Sequence, residues 1–356
     1  MMLSSVTQGR NNNFNLVRIV AALAVLVTHS FALSSGNPDD EPLRQTLDMT
    51  LGSIAVDVFF VTSGLLVTAS LLRSESVAAF AWSRCLRIFP GLLVMLLLTV
   101  FVVCPLFTTL PLVSYLLDLQ TRTYLIKGAT LVAGIVDRLP GLFENNPYPG
   151  TVNGSLWTMP YEVRMYMLLA VLWAVIHKVF RLRGAQFARA IQVLALLSGA
   201  GLVVVHFVSS RDPTFLRLFF MFFAGAALFV SRNRVLLSTP LFLFGVAASL
   251  IAVANQQFFF VVCTLSLPYL VIYLAYANSG TARRYNTVGD YSYGIYIYAF
   301  PVQQSLAALV PGISAFAMMF ASLTATLGLA ALSWHFIEHR AMNLRFRIAT
   351  DPVARS

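Results

Sequence analysis

The stretch VRIVAALAVLVTHS, residues 17–30, lies inside an apolar run from Phe14 to Leu33 and carries two ionisable side chains, Arg18 and His29. About 20 apolar residues suffice to cross a hydrocarbon core of about 30 Å. A charged or titratable group in such a run is expensive, so it faces a bundle interior or a wet cavity and marks a functional site by default. At 3.6 residues per turn, the spacing from Arg18 to His29 is close to three turns. Both therefore lie on one stripe with Asn15, Ala22 and Val25, separated by a rise of about 16 Å. This segment reads as a membrane helix with a polar face, and as a retained first helix rather than a cleaved signal peptide, whose apolar core is shorter.

The rest of the chain repeats the pattern. Of its 356 residues, 58% are hydrophobic and only 11% charged, against about 25% charged in a soluble domain. That excludes an ordinary soluble fold. It also makes a net charge of +10 a matter of membrane orientation, with no nucleic-acid partner implied. The reading is an all-α polytopic membrane protein with about ten transmembrane helices, near 14–33, 53–72, 89–108, 158–177, 190–208, 214–231, 237–254, 258–277, 288–309 and 313–335. All of 1–356 is taken as a single integral-membrane domain with no appended soluble domain, repeat or low-complexity tract.

The loops test that count. One alternating set holds Arg10; Arg73, Arg84 and Arg87; Lys178, Arg181, Arg183 and Arg189; Arg232 and Arg234; Arg283 and Arg284; and Arg340, Arg345, Arg347 and Arg355, or 16 of the 24 basic residues. The other set holds Arg44, Arg122, Lys127, Arg138, Arg211 and Arg217, with most of the acids. The positive-inside bias places the first set and both termini in the cytoplasm, with the longest outer loop at about 109–157. In that loop, TYLIKGATLVAGIV is expected to form a short amphipathic or re-entrant helix. Cys85 falls in a basic loop, Cys104 and Cys263 in apolar runs, and no metal spacing appears. NGS at Asn153 matches a glycosylation sequon, a short pattern that is common by chance.

Asp57 and Glu162 lie about one turn inside the outer boundary, at the depth of His29, and the three are expected to form an outer polar layer. Arg18, Arg84, Arg87 and Asp290 would form an inner one. Arg164, two residues from Glu162, points away from it on a helix. Each residue also has a bland reading. His29 would bridge helices by hydrogen bonds; Asp57 and Glu162 would be structural partners; Gly64 in SGLL would serve close packing. Arg84 and Arg87 would be orientation charges, and Tyr291, Tyr293, Tyr296 and Tyr298 would be packing aromatics with satisfied hydroxyls.

Six segments in order, NFNLVRIVAALAVLVTHS, DVFFVTSGLLVTASLLR, RCLRIFP, SLWTMPYEVRMY, DYSYGIYIYAFPVQQ and WHFIEH, resemble the signatures of the membrane-bound acyltransferase family 3, which includes bacterial O-acetyltransferases of surface carbohydrates. The resemblance spans nearly the whole chain. Departures are Asn15 in place of aspartate, Ala299 in place of the histidine before Phe-Pro, and His339 and Arg340 after Glu338. The second departure puts the burden of base chemistry on His29.

The resemblance implies transfer of an acyl group, chiefly acetyl, from cytoplasmic acyl-coenzyme A to a hydroxyl of a carbohydrate or glycolipid, at a bacterial inner (cytoplasmic) membrane. Coenzyme A is a co-substrate, and no permanently bound cofactor or metal is expected. On this reading His29 is the general base, with Asp57 or Glu162 fixing its tautomer. Arg18, Arg84 and Arg87 bind the anionic coenzyme, and Trp157, Tyr166 and Tyr293 contact the acceptor. The direct and the covalently relayed route both stay open. The rival class is a transporter or flippase of a glycan precursor without acyl-transfer chemistry. A purely structural scaffold would leave the buried ionisable groups without a reason.

Overall fold

The computed structural model describes residues 1–7, 11–179, 184–209, 213–277, 285–286 and 288–349. Among these the chain is all-α, with no strand beyond isolated bridges. In chain order the helices are α1 (Leu3–Val6), α2 (Phe14–Ser35), α3 (Arg44–Leu47), α4 (Leu51–Arg73), α5 (Val77–Leu98), α6 (Leu112–Leu117), α7 (Leu119–Thr130), α8 (Met159–Ala174), α9 (Gly184–Val208), α10 (Thr214–Val230), α11 (Thr239–Ala252), α12 (Gln256–Tyr276), α13 (Ser292–Leu309), α14 (Ala315–Ser333) and α15 (His339–Ala349).

Seven helical segments among the described residues are long and apolar enough to cross a membrane. The shorter apolar α10 and α11, and the 18-residue α13, stand where the other three crossings were expected. The protein is thus an integral membrane protein of about ten spans. Of the orientation charges, Arg10, Arg181, Arg183, Arg211, Arg283, Arg284 and Arg355 lie outside the described residues, as do the side chains of Lys178, Arg345 and Arg347.

One boundary differs by three turns. The third crossing was expected to start near residue 89, but α5 begins at Val77. The Ser76 hydroxyl caps it, accepting from the Ala79 N–H at 3.1 Å. A helix does not have to end where the apolar window ends; a serine cap in the polar flank starts it earlier. Arg84, Cys85 and Arg87 therefore sit on a helix, not in a loop. Residues 99–103 continue it as a π-helical turn. The long outer loop contains α6, α7 and a 3₁₀ turn, Gly154–Thr158; α7 covers the first part of the segment expected to be a short helix. Burial holds the phenols of Tyr115 and Tyr124, in α6 and α7, well above the usual tyrosine range, so both stay protonated.

The chain divides into two compact units. The first comprises Met1–Ala21, Leu43–Ser74 and Tyr161–Gly289. Its centre is the packing of α4 on α10. A Cβ on Gly64 would lie 1.9 Å from the Phe222 carbonyl oxygen, and one on Gly225 would lie 2.1 Å from that of Val61. Reciprocal glycines let the two backbones touch, the arrangement that drives helix association where lipid removes the hydrophobic contrast. α4 opens on a reciprocal cap: Thr50 Oγ1 accepts from the Ser53 N–H at 2.9 Å, and Ser53 Oγ accepts from the Thr50 N–H at 3.0 Å.

The second unit comprises Ala22–Pro42, Glu75–Pro160 and Asp290–Ser356. Its axis is α13, almost wholly buried although it carries three tyrosines and two glutamines. Those polar groups are what bind α13 to its neighbours. Asn146 Nδ2 donates to Gln304 Oε1 at 2.7 Å, and Gln304 Nε2 donates to the carbonyls of Tyr148 and Thr151 at 2.9 and 2.6 Å. Asn153 Nδ2 donates to the Ile297 carbonyl at 2.9 Å, and Tyr296 OH donates to that of Ser155 at 2.8 Å. The sequon match at Asn153 is accounted for by this packing: the side chain is fully buried.

Candidate functional site

In the second unit, His29 projects from α2 onto Phe300 of α13, edge to face with ring centroids 5.1 Å apart. Tyr148 closes on the same phenyl ring at 6.5 Å. The backbone of the 3₁₀ turn comes close enough that a Cβ on Gly154 would lie 2.6 Å from Phe300 Cε2. One turn along α13, Gln303 Nε2 donates to the Leu26 carbonyl and to Ser30 Oγ, both at 2.8 Å. These two acceptors lie on either side of His29 in the chain, so α13 fixes the turn of α2 that bears the imidazole.

Two polar atoms here have no hydrogen-bond partner although they are buried: His29 Nδ1 and Gln303 Oε1. Native proteins leave few such atoms, because each costs about 1–3 kcal/mol. The two sit on turns of α2 and α13 that the Gln303–Ser30 bond holds together. Ala299, which precedes Phe300 on α13, is buried and supplies no titratable group.

A second constellation of the same unit surrounds Arg87. The guanidinium forms an ion pair with Asp290 and lies 3.7 Å from Glu338 Oε2. It lies over the rings of Tyr293 and Trp334, each with the ring centroid 5.8 Å away. Tyr293 OH donates to the Ile88 carbonyl at 2.7 Å. Glu338 is buried and accepts from Ser333 Oγ at 2.8 Å. It closes a π-helical turn, Trp334–Glu338, a local widening often found at functional sites. Three separate sequence motifs, RCLRIFP, DYSYGIYIYAFPVQQ and WHFIEH, thus converge on one arginine. Arg84, a turn earlier, is half-buried and donates to Ser83 Oγ at 3.3 Å. Trp157 is partly exposed.

The first unit holds the remaining expected residues. Asp57 is fully buried on α4, and Arg217 Nε of α10 lies 3.5 Å from its carboxylate. Arg217 was counted among the outer-loop charges; it lies instead in the first turn of α10 and is itself buried. Glu162, on α8, accepts from Ser63 Oγ at 3.0 Å and from the hydroxyl of Tyr166. Ser63 is six residues beyond Asp57 on α4, a rise of about 9 Å, so the two carboxylates occupy different levels rather than one layer. Arg18 packs over the Phe59 ring at 5.8 Å. Arg164 is exposed and lies over Tyr161, away from Glu162 as its spacing required. Tyr166 and Tyr293 both have engaged hydroxyls.

Sequence reasoning missed Arg217, Gln303 and Glu338 as partners. Arg217 was detectable, since a carboxylate near one end of a span calls for a cation at matching depth on another. Glu338 sat inside a motif already singled out. Nothing in the sequence marked Gln303 apart from its neighbour Gln304.

An arginine and a histidine on the first helix, a basic turn entering the third, and a Phe-Pro helix packed on the histidine mark this membrane protein. The chain belongs to the acyltransferase family whose model, described as an acyltransferase domain, matches residues 11–335. Over 344 aligned residues it is 29% identical to the O-acetyl transferase of Shigella phage Sf6, covering 93% of this chain and 96% of that one. Over 377 it is 29% identical to Nodulation protein 10 of Rhizobium leguminosarum bv. viciae, covering 98% and 97%. No solved structure matches it. The transporter reading gives way to acyl-transfer chemistry.

Proposed function

We propose that this acyltransferase moves an acetyl group from cytoplasmic acetyl-coenzyme A to a hydroxyl of a carbohydrate or glycolipid, in a bacterial cytoplasmic membrane with both termini inside. The observation that carries the reading is His29: a half-buried imidazole with Nδ1 unpartnered, on the turn of α2 that Gln303 holds through Leu26 and Ser30. The acceptor hydroxyl donates its proton to Nδ1 as its oxygen attacks the thioester carbonyl. The resulting tetrahedral centre expels the coenzyme thiolate by breaking the C–S bond. The thiolate takes the proton from the imidazolium, which returns the base. General-base assistance of this kind contributes about 10²–10⁴-fold. The O-acetyl transferase relative supports acetyl as the group moved and a hydroxyl as its destination. Arg84, in the same unit as His29, marks the end of α5 at which the anionic coenzyme arrives.

Purified protein in lipid nanodiscs, given acetyl-labelled coenzyme A and a glycolipid extract, should label the glycolipid. His29→Ala should lower that labelling by at least about 100-fold while the variant stays monodisperse. Undiminished labelling refutes the assignment of the base. Mass spectrometry of surface glycans with and without the gene then identifies the acceptor by a lost acetyl mass.

A further inference from the structure

The Arg87 constellation ties α5 to the start of α13 and to the turn that carries Glu338. An arginine used to bind an incoming anion presents a bidentate edge to solvent. Here the guanidinium already has one carboxylate paired with it, a second carboxylate 3.7 Å away and two aromatic rings within 5.8 Å, and its side chain is 14% exposed. With Asp290 and Glu338 it makes a group of one cation and two anions, so the guanidinium charge is already compensated within the fold. The same point fastens α13. Asp290 accepts from the Ser292 N–H at 3.3 Å, at the first turn of α13, and Tyr293 bonds the Ile88 carbonyl directly after Arg87. A Cβ on Gly91, one turn further along α5, would lie 3.0 Å from Tyr293 and 3.3 Å from Glu338, so the three segments are in contact. α13 then continues to Phe300 and Gln303, about 15 and 20 Å along its axis, where it holds His29.

We propose that Asp290 and Glu338 are positioning residues. Through Arg87 they set the axial register of α13 on α5, and through α13 they set the placement of Phe300 and Gln303 against His29. This rests on His29 being the base of acetyl transfer. A displacement near 1 Å at a reacting group costs about 100-fold in rate, so a remote clamp on a rigid helix has leverage over turnover.

The test is steady-state kinetics with acetyl-coenzyme A as the varied substrate, paired with the rate at which diethyl pyrocarbonate modifies His29, read by peptide mass spectrometry. Asp290→Asn and Glu338→Gln should each lower kcat about tenfold or more, leave KM for acetyl-coenzyme A within about twofold, and change the His29 modification rate severalfold. Arg87→Lys should retain more activity than Arg87→Ala. A KM rise of tenfold with kcat unchanged would make the constellation part of the coenzyme site and overturn the proposal. So would unchanged kcat and an unchanged modification rate in both variants. Should Asp290→Asn fail to accumulate, Glu338→Gln carries the test alone, because it keeps the closer ion pair. If the unaltered protein transfers nothing from acetyl-coenzyme A, the enzymatic reading fails by itself, and the modification rate still decides whether the clamp governs His29.

Discussion

Gly154→Ala tests the coupling between the 3₁₀ turn and the base. The added methyl would lie 2.6 Å from Phe300 Cε2 and 2.9 Å from Cζ, where ordinary contact begins at 3.4 Å. The ring or the turn must therefore give by about 0.8 Å, a clash of the kind that costs about 1–3 kcal/mol in a packed core. The turn is tied down by Tyr296 on the Ser155 carbonyl and by Asn153 on α13. The phenyl ring is the softer element, and behind it lie His29, Leu33, Ala307 and Met318. Moving the ring toward the imidazole by most of an ångström predicts a fall in kcat of about 10–100-fold, since 1 Å is worth about 100-fold. The assay is acetyl transfer at saturating acetyl-coenzyme A, beside a thermal unfolding curve in detergent. Unchanged kcat in a variant whose midpoint has fallen would show that Phe300 does not position His29.

Two further perturbations probe the other unit. Gly64→Val forces side-chain atoms into the Phe222 carbonyl; α4 and α10 must separate, and the thermal midpoint should drop by several degrees, consistent with about 1–3 kcal/mol of overpacking. An unshifted midpoint would mean that this contact is not what holds the unit. Arg217→Ala leaves Asp57 buried without its cation and should destabilise by about 3–5 kcal/mol, whereas Asp57→Asn with Arg217→Gln together should recover part of the loss. A cost below about 1 kcal/mol for the single change, read by chemical denaturation, would remove the pair from the stability argument.

Much of this molecule was legible before any coordinates. The long apolar runs named the helices, including the three that fall short by length or hydropathy, and the flanking charges served as a check on their number. Arg18 and His29 on one stripe followed from the 3.6-residue period alone. The start of α5 was not legible from hydropathy, since a helix continues through polar flanks once a serine caps it. The role of Arg217 was obscured for a related reason: a charge in the first turn of a span was counted with the loop beside it.

What the sequence by itself determined is therefore the set of membrane-length helices and which residues are anomalous within them, because hydropathy and helical period are sums over neighbours in the chain and require no partner. What only the tertiary structure decided is who meets whom. Arg87 and Asp290 are 203 residues apart, and His29 meets Phe300 rather than Ala299 because of the rotation of α13 about its own axis. One residue along a helix turns a side chain through about 100°, so a partner is fixed by rotation and depth together. Both come from glycine contacts, buried amides and ion pairs summed over a whole helix.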